Sequence, residues 1–238
     1  KSKELKIIDI NNEWSTVLTE APIKIAKMHL SNWAYYDIGD EIKGLDGLYP
    51  YKKTVKDKLD SDANGLYEGY FWYRTKYLGK IDSIKLNVRH CFAVYLNGKE
   101  VYSHDSFNYV SGKDLDKPVS VDLSLFESDT ENTLVLLVQS MGHNKGFEDD
   151  AANLRGLLSY SVPKNIHLSW EIKEALSKDA ITSKNYTKLD LDDRQCKLVL
   201  AKSTFDIDLP DDHHAALGLV FDDPKFNKAT IYLNNVLI

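Results

Sequence analysis

Apolar residues recur at every second position in one segment of this chain after another. Ile84, Leu86 and Val88 alternate with Lys85 and Asn87, and Phe92, Val94 and Leu96 with Ala93 and Tyr95. Val119, Val121, Leu123 and Leu125 alternate with Ser120, Asp122 and Ser124; Ile166, Leu168, Trp170 and Ile172 with His167, Ser169 and Glu171; Phe205, Ile207 and Leu209 with Asp206 and Asp208. In an extended backbone successive side chains point to opposite sides, so this spacing sends one set into a core and the other into water. Many short strands separated by turn signals predict an all-β sandwich or barrel. Residues 134–138, Leu-Val-Leu-Leu-Val, are apolar without a break, as expected of a central strand covered on both faces. Asn97-Gly98 is a two-residue turn signal predicting a hairpin from 92–96 to 100–103. Helical content is small: residues 171–178 have room for a turn or two, and 22–30 carry a short helical spacing. There are no alternating strand–helix units, so no (β/α)₈ barrel is encoded.

At 238 residues the chain has room for one large or two modest domains. A formal net charge of -6 argues against a general nucleic-acid binder, because phosphate contacts need a basic face; a local basic patch remains compatible with it. No apolar run approaches the ~20 residues that span a bilayer. The chain starts at Lys1 without Met and stops at Ile238 inside an apparent strand, which reads as a piece of something longer. Cys91, in an apolar strand pattern, reads as a buried thiol, and a bridge to the distant Cys196 is the less favoured reading. Asn185-Tyr186-Thr187 fits the glycosylation pattern and is weak support for a secretory history.

A partial duplication is visible. Thr75-Lys76-Tyr77 precedes Ala93-Val94-Tyr95-Leu96-Asn97-Gly98, and Thr204-Phe205 precedes Ala229-Thr230-Ile231-Tyr232-Leu233-Asn234-Asn235. This pattern predicts a first sandwich over 1–165 and the opening strands of a second, truncated one over 166–238. The Lys- and Asp-rich stretch 177–194 is the expected joint or long loop.

With these residues in view, the chain resembles the C-terminal jelly-roll, galactose-binding-like domains of glycoside hydrolase family 35 β-galactosidases. Trp14 and Ser31-Asn32-Trp33 look like the family's opening strand. Tyr70-Phe71-Trp72-Tyr73-Arg74-Thr75-Lys76-Tyr77 is similar to its Leu-Trp-Tyr-Arg-Gly-x-Phe strand, and 92–98 to its Ala-x-x-Val-Trp-Leu-Asn-Gly hairpin. Met141-Gly142-His143-Asn144 and Leu154-Arg155-Gly156-Leu157-Leu158-Ser159-Tyr160 resemble its Met-Gly and Pro-Arg-Gly-Ile runs. Ser203-Thr204-Phe205-Asp206-Ile207-Asp208-Leu209-Pro210 and 231–235 resemble elements of its next sandwich. The matches are collinear over most of the chain. The family's Gly-Pro-Leu-Asn-Glu-Gly-Gly segment and the catalytic barrel with its two glutamates have no counterpart in this sequence.

The resemblance implies a jelly-roll β-sandwich followed by an incomplete second jelly-roll, and a chain that by itself is not an enzyme. It also implies a secretory location, with cytosol or nucleus left open. The residues agree on catalysis: retaining glycosidases need two carboxyls ~5 Å apart on a rigid scaffold, and Glu148-Asp149-Asp150 and Asp211-Asp212 sit in loop-like clusters. A calcium site in loop 146–153 and a metal at Asp211-Asp212-His213-His214 are both disfavoured against solvated turns. No cofactor is expected. Carbohydrate binding is the more serious candidate, because sugar sites combine an aromatic face with polar groups. Trp72 and Arg74 share one face of a strand, with Phe71, Tyr73 and Thr75 on the other. The favoured alternative is that Trp72 packs the sandwich and Arg74 is a buried, paired anchor. His143, Asn144 and Arg155 flank a loop that faces either a ligand or a neighbouring domain. Two functions compete: an accessory module supporting a galactoside-cleaving barrel or binding a galactoside glycan, and a protein-interaction module in a multi-subunit assembly. A free-standing galactose lectin is a third. None of them calls for nucleic acid or membrane as a partner.

Overall fold

The computed structural model describes residues 30, 33–36, 38–47, 49–56, 58–67, 69–104, 117–140, 154–163, 166–175, 200–207, 218–220, 229, 231–234 and 236–237. The chain divides into two compact units, Tyr35–Leu200 and the combination of Lys1–Ala34 with Ala201–Ile238.

The larger unit is an antiparallel β-sandwich. In chain order its elements are β1 (Ala34–Tyr36, whose first residue belongs to the smaller unit), the one-turn helix α1 (Gly39–Ile42), β2 (Lys52–Lys53), β3 (Gly69–Leu78), β4 (Ser83–Arg89), β5 (Cys91–Leu96), β6 (Lys99–His104), β7 (Val119–Asp122), β8 (Glu131–Ser140), β9 (Gly156–Ser161) and β10 (Trp170–Glu174). One sheet has six strands in the order β2-β10-β3-β8-β5-β6; the facing sheet has three, β7-β4-β9. The predicted all-β sandwich is therefore present. The alternation in the sequence is the alternation of its two surfaces. Phe71, Tyr73, Phe92, Val94, Leu96, Leu134, Leu136, Val138, Trp170 and Ile172 enter one core with Ile84, Leu86, Val121 and Leu157 of the smaller sheet. Each of the larger side chains contributes about 2–3 kcal/mol by leaving water.

The uninterrupted apolar run falls on β8, which pairs with β3 on one side and β5 on the other. Its outward residues Val135 and Leu137 are also buried, in a second cluster with Ile38, Tyr51, Trp72, Ala93 and Tyr95. The cover is the segment running from Ile38 through α1 to Tyr51, so the six-stranded sheet is dry on both faces at its centre. The predicted Asn97-Gly98 turn is there: both residues have positive φ, 51° and 81°, as a type I′ connection requires.

Several expectations fail locally. The alternation through Trp170 and Ile172 is strand as expected, but the helical turn considered from residue 171 onward is absent at 171–174, which continue the strand: the edge of β3 takes β10 as partner, in register from Trp170↔Thr75 to Glu174↔Phe71. β10 follows residue 165 in the chain and hydrogen-bonds along β3 in the six-stranded sheet. The alternation that reaches Leu125 stops early. Asp122 accepts hydrogen bonds from the Ser124 amide and hydroxyl, the chain turns, and Leu125 is left 84% exposed. Ile166 lies outside any strand.

In the smaller unit the described residues form β11 (Leu200–Lys202, whose first residue belongs to the larger unit) and a hairpin of β12 (Tyr232–Leu233) with β13 (Val236–Leu237). Asn234, with φ 48°, turns that hairpin. Residues 203–207, expected to begin a strand, have no regular structure. Cys91 is buried; the bridge considered with Cys196, the Asn185 sequon and the joint at 177–194 lie outside the described residues.

Candidate functional site

The residues singled out in the sequence separate into two places. Trp72 and Arg74 lie on the outer face of β3. Trp72 is 1% exposed, packed against Tyr95 with ring centroids 6.2 Å apart, so its face is covered by protein. Arg74 reaches over the Tyr51 ring, 4.1 Å from its centroid. It donates from Nε to Glu171 Oε2 at 2.7 Å and from Nη1 to the Gly44 carbonyl at 2.7 Å and Asp46 Oδ1 at 3.1 Å. Gly44 is required there: its φ is +75°, and a Cβ would press to 2.5 Å from Thr133 Cγ2.

Beside Arg74, Lys173 is buried and donates to the carbonyls of Asp46 (2.5 Å) and Tyr49 (3.3 Å). Its Nζ lies 3.7 Å from Glu41 Oε1, a carboxylate that also accepts from the Tyr36 hydroxyl at 3.0 Å. Burial pulls the Lys173 ammonium below the usual lysine range, against the opposing pull of Glu41 and Asp46. Burial likewise drives the Tyr51 phenol up, beyond reach of ordinary pH. Two cations and their acceptors thus bind segment 38–51 to the sheet. Chemically this is an anchor, with the donors consumed by carbonyls and carboxylates of the same unit.

Arg155 lies at the other place, one end of the sandwich. It is 2% exposed and its guanidinium grips both carboxylate oxygens of Asp62. Gly156 follows with φ +84°, where a Cβ would overlap the Tyr73 hydroxyl, which itself accepts from the Leu157 amide at 3.2 Å. The loop carrying Asp62 is internally tied. The Ala63 amide donates to Asp60 Oδ1 (2.8 Å), Asn64 Nδ2 to the Asp60 carbonyl (2.6 Å), and the Ser61 amide to the Arg155 carbonyl (2.8 Å). Between this loop and β9 opens a cleft of about 430 Å³ lined by Lys58, Leu59, Asp60, Asp62, Leu154 and Leu158. His90 is buried on the same side of the unit, and desolvation, then the charges of Arg89 and Arg155, hold its pKa down to about 4.

Trp72 and Arg74 are brought together as expected of one strand face; Arg155 is not part of that group. His143 and Asn144 lie outside the described residues, as do loop 146–153 and Asp211-Asp212-His213-His214. Among the described residues, no group of three or more His, Cys, Asp or Glu side chains is arranged to hold a metal ion. The sequence reading passed over Glu41, Tyr51, Asp62, Glu171 and Lys173. Only the last two carried a signal: charges at alternating positions on a strand with Trp170 and Ile172 mark a second polar face that an arginine on the neighbouring strand can meet.

No known family profile matches this chain, and no curated protein matches it. Among solved structures it is similar to the β-glucuronidase of Ruminococcus gnavus, at 19% identity and a TM-score of 0.30 over 59% of this chain and 27% of that one. The complex of that enzyme with uronic deoxynojirimycin gives 19% identity and 0.31 over the same shares. The complex with D-glucuronic acid gives 20% and 0.30 over 59% and 28%. This chain therefore spans 27% of the length of the first of these.

Proposed function

We propose that this chain is a non-catalytic accessory β-sandwich module of a β-galactosidase-like protein, with jelly-roll connectivity, that supports a sugar-cleaving domain. The observation that carries the reading is the use made of the motif residues. Trp72 fills the outer layer, Arg74 ties segment 38–51 to β10 through Gly44, Asp46 and Glu171, and Arg155 fixes Asp62. Groups spent on internal anchoring build a rigid support, and rigidity is what a neighbouring catalytic domain needs from a scaffold. The test is turnover of a chromogenic β-galactoside by the purified chain, alone and joined to its parent protein. The module reading expects no turnover from the chain alone; hydrolysis by it would refute the proposal.

A second reading, a protein-interaction module in a larger assembly, is favoured by one feature. Val55 (48% exposed), Tyr67 (64%) and Leu154 (51%) are large apolar side chains left open on segments 55–67 and 154–158, which border the end cleft. Affinity capture from the native source separates the two. A stable protein partner together with no retention on immobilised glycans selects the second.

A further inference from the structure

We infer that the free edge of β2, with the turn that follows it, is a docking site for an extended acidic peptide of a partner protein, which adds to the six-stranded sheet as a further strand. The contact is independent of the accessory-module reading and of its turnover test.

Charge is the first observation. Residues 52–58, Lys-Lys-Thr-Val-Lys-Asp-Lys, carry four lysines against one aspartate, a formal +3 in a chain whose net charge is -6. Lys52, Lys53, Lys56 and Lys58 are all exposed, and none of them forms an ion pair among the described residues. Elsewhere on the surface, Lys76 meets Glu131 at 3.6 Å and Lys80 meets Asp129 at 3.0 Å. The carboxylates near β2 are already spent. Asp60 is 6% exposed and accepts from the Ala63 amide, Asp62 holds Arg155, and Glu171, opposite Lys53 in the register, holds Arg74. Like charges set this close repel one another, and a ligand bearing carboxylates relieves that repulsion.

The backbone is the second observation. β2 is the outermost strand of the order β2-β10-β3-β8-β5-β6, and no described strand pairs with its other side. The Thr54 amide donates to the Trp170 carbonyl at 3.2 Å. Bonded and non-bonded positions alternate along an antiparallel ladder. Lys53, opposite Glu171, is therefore at a position whose N–H and C=O point away from β10. Such an outward donor and acceptor is where an extended chain adds to a sheet. Past Lys53 the edge closes, because Asn64 Oδ1 takes the Val55 amide at 2.9 Å and the Lys58 amide takes the Val55 carbonyl at 2.9 Å.

The two observations fit one ligand. Lys52 and Lys53 are successive strand residues and project to opposite faces, so they straddle whatever lies along the edge. An incoming strand also sends successive side chains both ways, and acids at neighbouring positions meet both lysines at once. Edge lysines guard a sheet against indiscriminate pairing. Here the same charges act as a filter: they oppose a basic or apolar strand and are neutralised by an acidic one. Val55, 48% exposed between Thr54 and Lys56, offers a place for one aliphatic side chain. A nucleic acid or an anionic bilayer would answer the lysines but not the open N–H and C=O, and would bring a large polyanion against a chain of net negative charge.

The test titrates a capped peptide, acetyl-Glu-Asp-Val-Glu-Asp-Val-Glu-Asp-amide, into the isotope-labelled full chain and follows the backbone amide signals by NMR. The amides of 52–58 should shift together. Because the ion pairs are exposed, the dissociation constant should be about 100 μM in about 20 mM salt and about tenfold weaker in about 200 mM salt. Lys56→Glu with Lys58→Glu changes two exposed positions outside the ladder. It should weaken binding by about tenfold or more and leave the urea midpoint unchanged. The same peptide N-methylated through its central residues keeps every charge and loses its backbone donors, and it should also bind about tenfold more weakly. Equal binding by the methylated peptide would reduce the lysines to an ion exchanger and overturn strand addition. Shifts confined to other segments, or undiminished binding by the Lys56→Glu, Lys58→Glu variant, would overturn the site. Tighter, lysine-dependent binding of a short oligothymidylate or of phosphatidylserine vesicles would overturn the choice of a peptide.

Discussion

Replacing Arg74 by alanine is the sharpest test of whether the outer layer is an anchor. Four interactions are lost together: the ion pair to Glu171 at 2.7 Å, the weaker one to the exposed Asp46 at 3.1 Å, the hydrogen bond to the Gly44 carbonyl at 2.7 Å, and the stack on Tyr51 at 4.1 Å. The Arg74 side chain is 14% exposed and that of Glu171 29%, so the pair sits between surface and interior. A surface pair is worth about 0–1 kcal/mol, while breaking a fully buried one costs about 3–5 kcal/mol. Partial exposure places the ionic loss near the middle, about 2 kcal/mol, and the stack and stranded carbonyl add about 1 kcal/mol more. Urea unfolding followed by tryptophan fluorescence measures the total, since Trp72 sits two residues away on the same face. Arg74→Ala should lower stability by about 3 kcal/mol with an unchanged slope. Arg74→Lys keeps charge but loses the flat stack and the forked geometry, so about half of that loss should remain. The companion experiment is Arg74→Met with Glu171→Leu. Replacing both partners by apolar groups should restore most of the stability, because the cost lies in the orphaned carboxylate. Arg74→Ala within 0.5 kcal/mol of the parent (about the scatter of ordinary surface changes), or a double variant as unstable as the single, would refute the anchor argument.

Asn132 is wholly buried, donates to the carbonyls of Gly79 and Ser128, and accepts from Asn97 Nδ2 and the Ser128 amide. Asn132→Ala should destabilise by about 3 kcal/mol, read from the urea midpoint, and Asn132→Asp should fail to rescue because the carbonyls then lose their donor. His90 gives a pH signature. Its folded pKa of about 4 lies below its ordinary 6.5, so the unfolded chain binds the extra proton between those values. Stability is therefore full above about pH 6.5 and falls as pH drops toward 4, by up to about 3 kcal/mol from this one group. His90→Asn should flatten that segment of the stability–pH curve; an equally steep fall in the variant would assign the loss to other groups.

The alternation at 84–88 and 92–96 located the core side of β4 and β5 because period two is a local property of an extended chain. The unbroken run at 134–138 likewise announced a strand covered on both sides. What covered it was not legible. Ile38, Glu41 and Tyr51 come from a stretch whose pattern is neither period two nor a full helix, and they meet β3 only after the chain folds back. Residues 171–174 show the same limit: Glu, Ile, Lys and Glu suit either a helix turn or a strand, and the open edge of β3 decides. Leu125 departs from the alternation because Asp122 ends the strand through a side-chain turn that outweighs it. Arg155 stood out as a motif residue, but its partner Asp62 is 93 positions away and no spacing rule connects them.

The second apolar layer determines where this polypeptide can be cut. A fragment trimmed to begin after Tyr51 would retain every strand from β2 to β10, and by strand count would look intact. It would nevertheless present Trp72, Tyr95, Val135 and Leu137 to water as one oily panel and leave Arg74 and Lys173 without their carbonyl acceptors. Expression boundaries for any recombinant piece therefore belong upstream of Ile38, and a clone made from the strands alone should be recovered as aggregate.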